Sequence, residues 1–403
     1  MPHAVPDRDA KRRRGDPFDG DRDGTDMKEA SIPRAEFAGR ADRLRAWLAD
    51  EGLDVAYVSS PPNIAYLSGL SITPMERLAA LVVPHEAEPI LVVPELEGEA
   101  ALANPAGFGS VTWTDAEGPA RRLRETFERV AGRQGVALAV EKDALTVRAL
   151  EHIRDVVDIA RVADLSPVLT ELRLRKSEAE LALLRAAAEV VDACLAELPA
   201  RLRLGRTEAE LAFELDGLVR RHGGEGTPFA TTVLAGPNAA LPHGHPGRRP
   251  LQDGDLVIAD FGAVVGGYCA DVTRTFVVGE PSEQAAEVFE VVRRAQDRGV
   301  AAVRPGASCS AVDAAARSVI ADAGYADHFV HRTGHGLGLE VHEPPSLVAG
   351  VERLLEPGMV VTVEPGIYLP GFAGVRIEDD VVVTADGGIS LTRAARDLIA
   401  SPV

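Results

Sequence analysis

The sequence predicts a mixed α/β protein of two domains, the second with α+β character, behind a charged N-terminal tail. Three observations carry that expectation. Apolar residues recur at helical spacing behind clear N-terminal caps. Short β-branched runs stand between polar or glycine turns. From about residue 171 the order of helices followed by strands appears twice, which predicts two similar halves packed around one site.

Length and composition bound what such a protein does. The chain has 403 residues, 46% hydrophobic and 26% charged, with 43 basic against 62 acidic residues and a net charge of −19. Nucleic-acid binding is not expected, because phosphate contacts need a basic surface. No run of 18 apolar residues exists, so no membrane span is expected, and the N-terminus lacks the apolar core of a secretory signal. Cys194, Cys269 and Cys309 are too few and too scattered for a disulfide framework or a cysteine metal site. A cytoplasmic protein is expected.

Residues 1–30 hold 15 charged residues and little apolar mass. Such a segment cannot offset its ordering entropy, and a disordered tail is expected over 1–32. Lys11-Arg12-Arg13-Arg14 reads as a solvated run among aspartates, and Met27 is an alternative start.

A first domain is expected over 33–168. Phe37, Leu44 and Leu48 recur at helical spacing. Asp54–Val58 reads as a strand and Asn63–Leu67 opens a helix. Leu78–Val83, Pro89–Val93 and Val136–Val140 read as further strands. No catalytic constellation stands out here.

A second domain is expected over 171–403. Ser177 with Glu180 and Thr207 with Glu210 form capping boxes that open helices to about Leu198 and Arg221. Strands follow at Thr231–Leu234, Leu256–Gly262 and Cys269–Val278. Helices are expected over Ser282–Val303 and Ser308–Ala323, then strands at Val360–Glu364 and Gly374–Val383.

Two hairpins in this domain aim acids at one point. Gly266-Gly267 is a strong two-residue turn signal. It pairs Val265 with Tyr268 and therefore Asp260 with Thr273. Residues opposite each other and residues two apart share a face, so Asp260, Asp271 and Thr273 crowd together. Carboxylates that close repel unless a cation lies between them. Glu364 and Glu378 repeat the pattern around a turn near Pro370-Gly371, with Arg376 two residues before Glu378. His335 stands in Thr333-Gly334-His335-Gly336-Leu337-Gly338, where glycines permit close backbone approach and positive φ. His331 and His335 have the spacing of a helical zinc pair, but the intervening and following glycines argue against a helix. The glycine run also imitates a nucleotide loop without the strand–loop–helix context. Four acids and one histidine on matched hairpins predict a metal site.

The order Asp260, Asp271, His335, Glu364, Glu378 resembles the metallopeptidases of the pita-bread fold, the group of prolidase, aminopeptidase P and methionine aminopeptidase. The segments Ala259–Gly262, Ala270–Thr275, Gly334–Gly338, Val363–Gly366, Arg376–Asp379 and Leu241–Gly244 look like its signature blocks, in the expected order across the second domain. The first domain looks like the creatinase/prolidase N-terminal domain. The resemblance implies that Asp260 holds one metal ion, that His335 and Glu364 hold another, and that Asp271 and Glu378 bridge them. It makes His243 and His342 substrate-side histidines, Glu364 the proton shuttle, and Thr273 and Arg376 supports of the ligands. His245 and His331 lie nearby and are not assigned.

An oxygen-rich site suits manganese first, with cobalt, iron or zinc as alternatives. The implied activity is hydrolysis of Xaa-Pro bonds, most of all in dipeptides. The partners implied are a small peptide substrate and a second copy of the chain in a homodimer. One departure is visible: Ser346 stands where many relatives carry an aromatic residue. The alternatives are an aminopeptidase P acting on longer peptides, a metal-dependent hydrolase of non-peptide C–N bonds, and a non-catalytic binding module. Retention of all five ligands counts against the last.

Overall fold

The computed structural model describes residues 31–132 and 134–401. The tail expected over 1–32, with Lys11–Arg14 and Met27, lies over residues 1–30 outside the described residues.

The first part runs α1 (Arg34–Asp50), β1 (Val55–Val58), α2 (Pro61–Ser68), β2 (Ala80–Pro84), β3 (Ile90–Pro94), α3 (Gly98–Leu102), β4 (Gly109–Trp113), α4 (Ala120–Val130), β5 (Val136–Val140), α5 (Val147–Arg154), β6 (Ile159–Asp164) and α6 (Ser166–Leu174). The strands make one mixed sheet in the order β4-β3-β2-β1-β5-β6. Alternation along the strands feeds two cores, one on each face. Ala56 and Val58 pack with Leu44, Leu48, Ile64 and Leu67 of α1 and α2. Val55 and Tyr57 pack with Leu123, Phe127 and Ile153 of α4 and α5. Both faces are therefore covered by helices, which explains why β1, β2 and β3 read as unbroken apolar runs. Strands β4 and β6 escaped the sequence reading because they are the two edges and are only partly buried.

The second part runs α7 (Glu178–Glu197), α8 (Glu208–Arg221), β7 (Thr232–Ala235), β8 (Leu256–Val265), β9 (Tyr268–Val278), α9 (Glu283–Ala302), α10 (Cys309–Asp322), β10 (Gly334–Gly336), β11 (Glu343–Leu347), β12 (Val360–Val363), β13 (Gly366–Leu369), β14 (Ala373–Arg376), β15 (Asp379–Thr384), β16 (Gly387–Ser390) and β17 (Ile399–Ser401). Both capping boxes form, Ser177 with Glu180 and Thr207 with Glu210. A helix pair precedes a group of strands twice, as the order of the sequence suggests. One sheet is β17-β9-β8-β7, the other β11-β10-β12-β15-β16, and β13-β14 form a separate hairpin.

The second half adds the unexpected strands β10, β11, β13, β16 and β17, and departs from expectation between β12 and β15. Gly374–Val383, read as one strand, is two strands in different sheets, and the strand at Val360 ends at Val363. Val363 pairs with Asp379 and Gly366 with Arg376, so the register is the same on both sides of the break. Between these pairs Glu364 and Glu378 leave the ladder. The Glu364 N–H donates to the Thr333 carbonyl at 2.8 Å, and the Glu378 N–H to the Thr273 carbonyl at 3.1 Å. Their backbone groups are thus satisfied by β9 and by the segment before β10. The break is what brings the two glutamates to the strands that carry Asp271 and His335.

Candidate metal centre

The β8–β9 hairpin is built as its turn predicts. Gly266 and Gly267 both adopt positive φ, 56° and 79°, as a type I′ turn requires. Val265 pairs with Tyr268, Asp260 with Thr273 and Gly262 with Asp271. Every residue of β9 is buried, so Asp271 is an acid placed inside the protein.

His335 sits in β10, squeezed between β11 and β12. A Cβ on Gly334 would lie 1.9 Å from the Thr362 carbonyl oxygen, and one on Gly336 would lie 2.1 Å from that of Pro344. The glycines flanking His335 therefore serve close approach. Neither has positive φ, and in that respect the sequence expectation is corrected. The helical zinc pair is absent as well, since His331 and His335 lie on no helix.

The five expected ligands converge. Ligand atoms of Asp260, Asp271 and Glu378 lie within 4.8 Å of one another, and so do those of His335, Glu364 and Glu378. Asp271, His335 and His342 form a third such group. His335 is 1% exposed. Its Nδ1 lies 3.0 Å from the Gly336 carbonyl, so Nδ1–H donates there and the Nε2 lone pair is left facing the carboxylates. Nε2 lies 3.4 Å from Glu364 Oε1 and 3.6 Å from Asp271 Oδ2. Burial pushes its pKa down to about 3, so the ring is neutral and able to ligate.

The carboxylates carry the opposite strain. Asp271 is held well above the usual carboxylate range first by burial and then by Asp260, Asp380 and Glu364, and Glu378 first by burial and then by Asp271, Glu364 and Asp260. Burial pushes Glu364 up to about 7, against the pull of Arg376. Arg376 gives one local compensation: its Nη2 donates to Asp260 Oδ2 at 2.5 Å and its Nε to Thr273 Oγ1 at 3.0 Å. Thr273 Oγ1 in turn donates to Glu378 Oε2 at 2.7 Å. Thr273 and Arg376 thus brace Asp260 and Glu378 as expected. Glu378 Oε1 is buried with no hydrogen-bond partner among the described residues. A crowded set of buried oxygens, one of them unsatisfied, beside a neutral imidazole lone pair fits divalent cations.

Other residues were not singled out in the sequence. Tyr368 accepts a hydrogen bond from Arg376 Nη1 at 2.7 Å and donates to His331 Nε2 at 2.9 Å. His331 also lies 2.7 Å from the Arg332 carbonyl through Nδ1, and burial pushes it down to about 4. It is a satisfied neutral histidine bracing Tyr368. Asp380 accepts the Asp271 N–H at 3.1 Å from behind; the acidic doublet Asp379-Asp380 in an apolar strand was the signal available for it. Thr362 Oγ1 accepts the His335 N–H at 3.1 Å. Arg332 influences the charge of His335, His342 and Glu364, makes a hydrogen bond to Ser346 Oγ at 3.2 Å, and pairs with no carboxylate among the described residues. His243 is exposed and lies close enough to affect His331 and His342. His245 is exposed and belongs to none of the three groups.

Fold and cluster together define a metal-dependent peptidase: a helix-covered mixed sheet joined to a pita-bread body with acids and a histidine at its centre. Residues 182–385 match the model of metallopeptidase family M24, and residues 40–175 match the creatinase/prolidase N-terminal domain. The chain belongs to metallopeptidase family M24. It is 40% identical over 364 residues to an Xaa-Pro dipeptidase of Lactobacillus delbrueckii subsp. lactis, covering 90% of this chain and 99% of that one. Among solved structures, a prolidase from Thermococcus sibiricus matches with TM-score 0.85 and 37% identity over 92% of this chain and all of that one. A dipeptidase from Pyrococcus horikoshii matches with TM-score 0.83 and 38% identity over 90% and 99% of the two chains.

Proposed function

We propose that this protein hydrolyses Xaa-Pro peptide bonds, dipeptides first, with two divalent metal ions held by Asp260, Asp271, His335, Glu364 and Glu378. The observation that carries this is the pair of three-residue ligand groups that share Glu378 within 4.8 Å. In this reading Asp260 would hold one ion, His335 and Glu364 would hold the other, and Asp271 and Glu378 would serve both. Manganese is the expected metal, with cobalt, iron and zinc as alternatives. We further infer a creatinase/prolidase-like domain over 33–168 and a catalytic domain over 171–403, a homodimer, and a cytoplasmic location. The likeness to an Xaa-Pro dipeptidase and to a prolidase supports dipeptides over longer peptides and over non-peptide C–N substrates.

Bound divalent ions supply a nucleophilic water at neutral pH and an electrophile for the scissile carbonyl. The chain's own residues do the rest. Arg376 and Thr273 fix Asp260 and Glu378, so the ligand set does not spread under mutual repulsion. Glu364 takes the proton lost by the attacking water and returns it to the departing nitrogen. That return matters for proline, whose amide nitrogen is tertiary and leaves only when protonated. His243 and His342 orient the carbonyl and stabilise the charge that develops on its oxygen.

The test is hydrolysis of an Xaa-Pro dipeptide, an Xaa-Pro-Xaa tripeptide and a proline-free dipeptide, after chelation and with manganese, cobalt or zinc restored. Metal-dependent cleavage confined to the proline dipeptide is expected. Cleavage of the tripeptide moves the assignment to aminopeptidase P, and silence on all three with metal bound removes the peptidase reading.

A further inference from the structure

Glu343 follows His342 directly, and no role has been given to it. Its side chain is buried, and the neighbouring His342 ring meets the His335 ring edge-on at 4.3 Å between centroids. Glu343 Oε1 accepts from Arg173 Nη2 at 2.5 Å and from the Glu340 N–H at 3.1 Å, and Oε2 accepts from Lys176 Nζ at 3.2 Å. The loop is wrapped closely around this carboxylate: a Cβ on Gly338 would lie 2.6 Å from Oε1. Burial works against the charge, yet Lys176 and Arg173 outweigh it and hold the pKa at about 2.

The backbone around His342 is held at Val341 by the His335 ring and at Glu343 by its pairing with Gly336. Pro344 and Pro345 donate no N–H. The β10–β11 ladder shifts register there, from His335 paired with Ser346 to Gly336 paired with Glu343. The side chain of Glu343 is an anchor of this segment. Arg173 carries the anchorage into the first part of the chain. Its Nη1 donates to Asn63 Oδ1 at 2.8 Å. Asn63 Nδ2 donates to Glu141 Oε1 at 2.6 Å, and Glu141 also accepts the Ser60 N–H at 2.9 Å. Glu141 directly follows β5, and Asn63 lies in α2, so the polar chain runs from the end of a first-sheet strand to the residue beside His342.

We propose that Glu343 and Arg173 are positioning residues for His342, through which the first domain sets the geometry of the catalytic site. This rests on the peptidase reading above, in which His342 works on the substrate side. The test is a double-mutant cycle on the metal-loaded enzyme, reading kcat and KM for an Xaa-Pro dipeptide and the bound metal. Glu343→Gln is expected to lower kcat at least tenfold with KM within about twofold and metal content unchanged. In a His342→Ala background the same change is expected to alter kcat less than about twofold, because its route of action is gone. Equal losses in both backgrounds, or loss of metal, overturn the proposal.

If Glu343→Gln does not fold, the milder Arg173→Lys and Asn63→Ala take its place, with the same non-additivity expected and smaller losses. A substrate-free readout separates the two readings. The 15N-labelled His342 ring signal of the holoenzyme is expected to shift in Arg173→Lys and in Asn63→Ala, and an unmoved signal overturns the positioning role. A moved signal in an enzyme that cleaves no Xaa-Pro peptide keeps the positioning role and removes the peptidase reading.

Discussion

At the scale of the residue, the site is an arrangement of charges that oppose one another. Asp271, Glu364 and Glu378 are each pushed up first by burial and then by neighbouring carboxylates, Asp260 acting on all three, and one buried arginine offsets only part of that repulsion. Removing a bridging acid should therefore remove the metals. Asp271→Ala is expected to bind neither ion tightly and to lose activity; two bound ions by elemental analysis with full turnover would show the ligand assignment to be wrong. In the proposed mechanism His243 acts on the charge that develops on the carbonyl oxygen. His243→Ala should keep both ions and lose about 100-fold in kcat, the scale of one lost charge-stabilising donor, and unchanged kinetics remove it from the mechanism. Arg332 is a cation beside the cluster with no acidic partner among the described residues, and a dipeptide carries a free carboxylate that such a cation would pair with. Arg332→Gln should cost roughly 1.5–3 kcal/mol of binding, seen as a raised KM for the dipeptide acid and little change for its C-terminal amide. Equal changes for acid and amide would exclude that contact.

At the scale of the element, the decisive features are a tight turn, a squeezed strand and a broken ladder. The Gly266-Gly267 turn fixes which residues of β8 and β9 face each other, and Asp260 meets Thr273 as the turn dictates. Strand β10 is narrow because its neighbours leave no room for a Cβ at Gly334. Gly334→Ala should force the strand from β12 and weaken the His335 N–H bond to Thr362. A loss of about 1–3 kcal/mol in unfolding free energy is expected, with reduced metal occupancy, measured by denaturant titration and metal analysis. Wild-type values for both would show that the strand has slack. The β12–β15 break had no signal in periodicity, because apolar runs continue on both sides of it. It became visible only through the pairing of Val363 with Asp379 and Gly366 with Arg376 in two different sheets.

At the scale of the whole molecule, folding brings acids into a place where they resist ionisation, and metal reverses that. Glu364 has an ordinary carboxyl pKa of 4.5 when unfolded and about 7 when folded. A group raised in this way favours the metal-free fold below pH 4.5, and that contribution is lost as pH rises towards 7. Divalent ions must displace the same protons to bind. The stabilisation given by saturating manganese, read as the shift in Tm, should therefore grow from pH 5 to pH 8. A shift independent of pH over that interval would mean that the ions bind elsewhere.

The sequence by itself determined the mixed α/β class, both capping boxes, the β8–β9 register and the identity of the converging acids and His335. These follow from local rules: caps, a two-residue turn and strand alternation act over a few residues and need no distant partner. Only the tertiary structure decided what depends on residues far apart. The ladder breaks at Glu364 and Glu378 because Thr333 and Thr273 take up their N–H groups. Tyr368, Asp380 and Arg332 acquire meaning from what packs beside them. Glu343 gains its place from Arg173, which lies 170 residues earlier in the chain. Burial makes such long-range pairs matter, since a charge inside a protein must find its partner wherever the fold brings one.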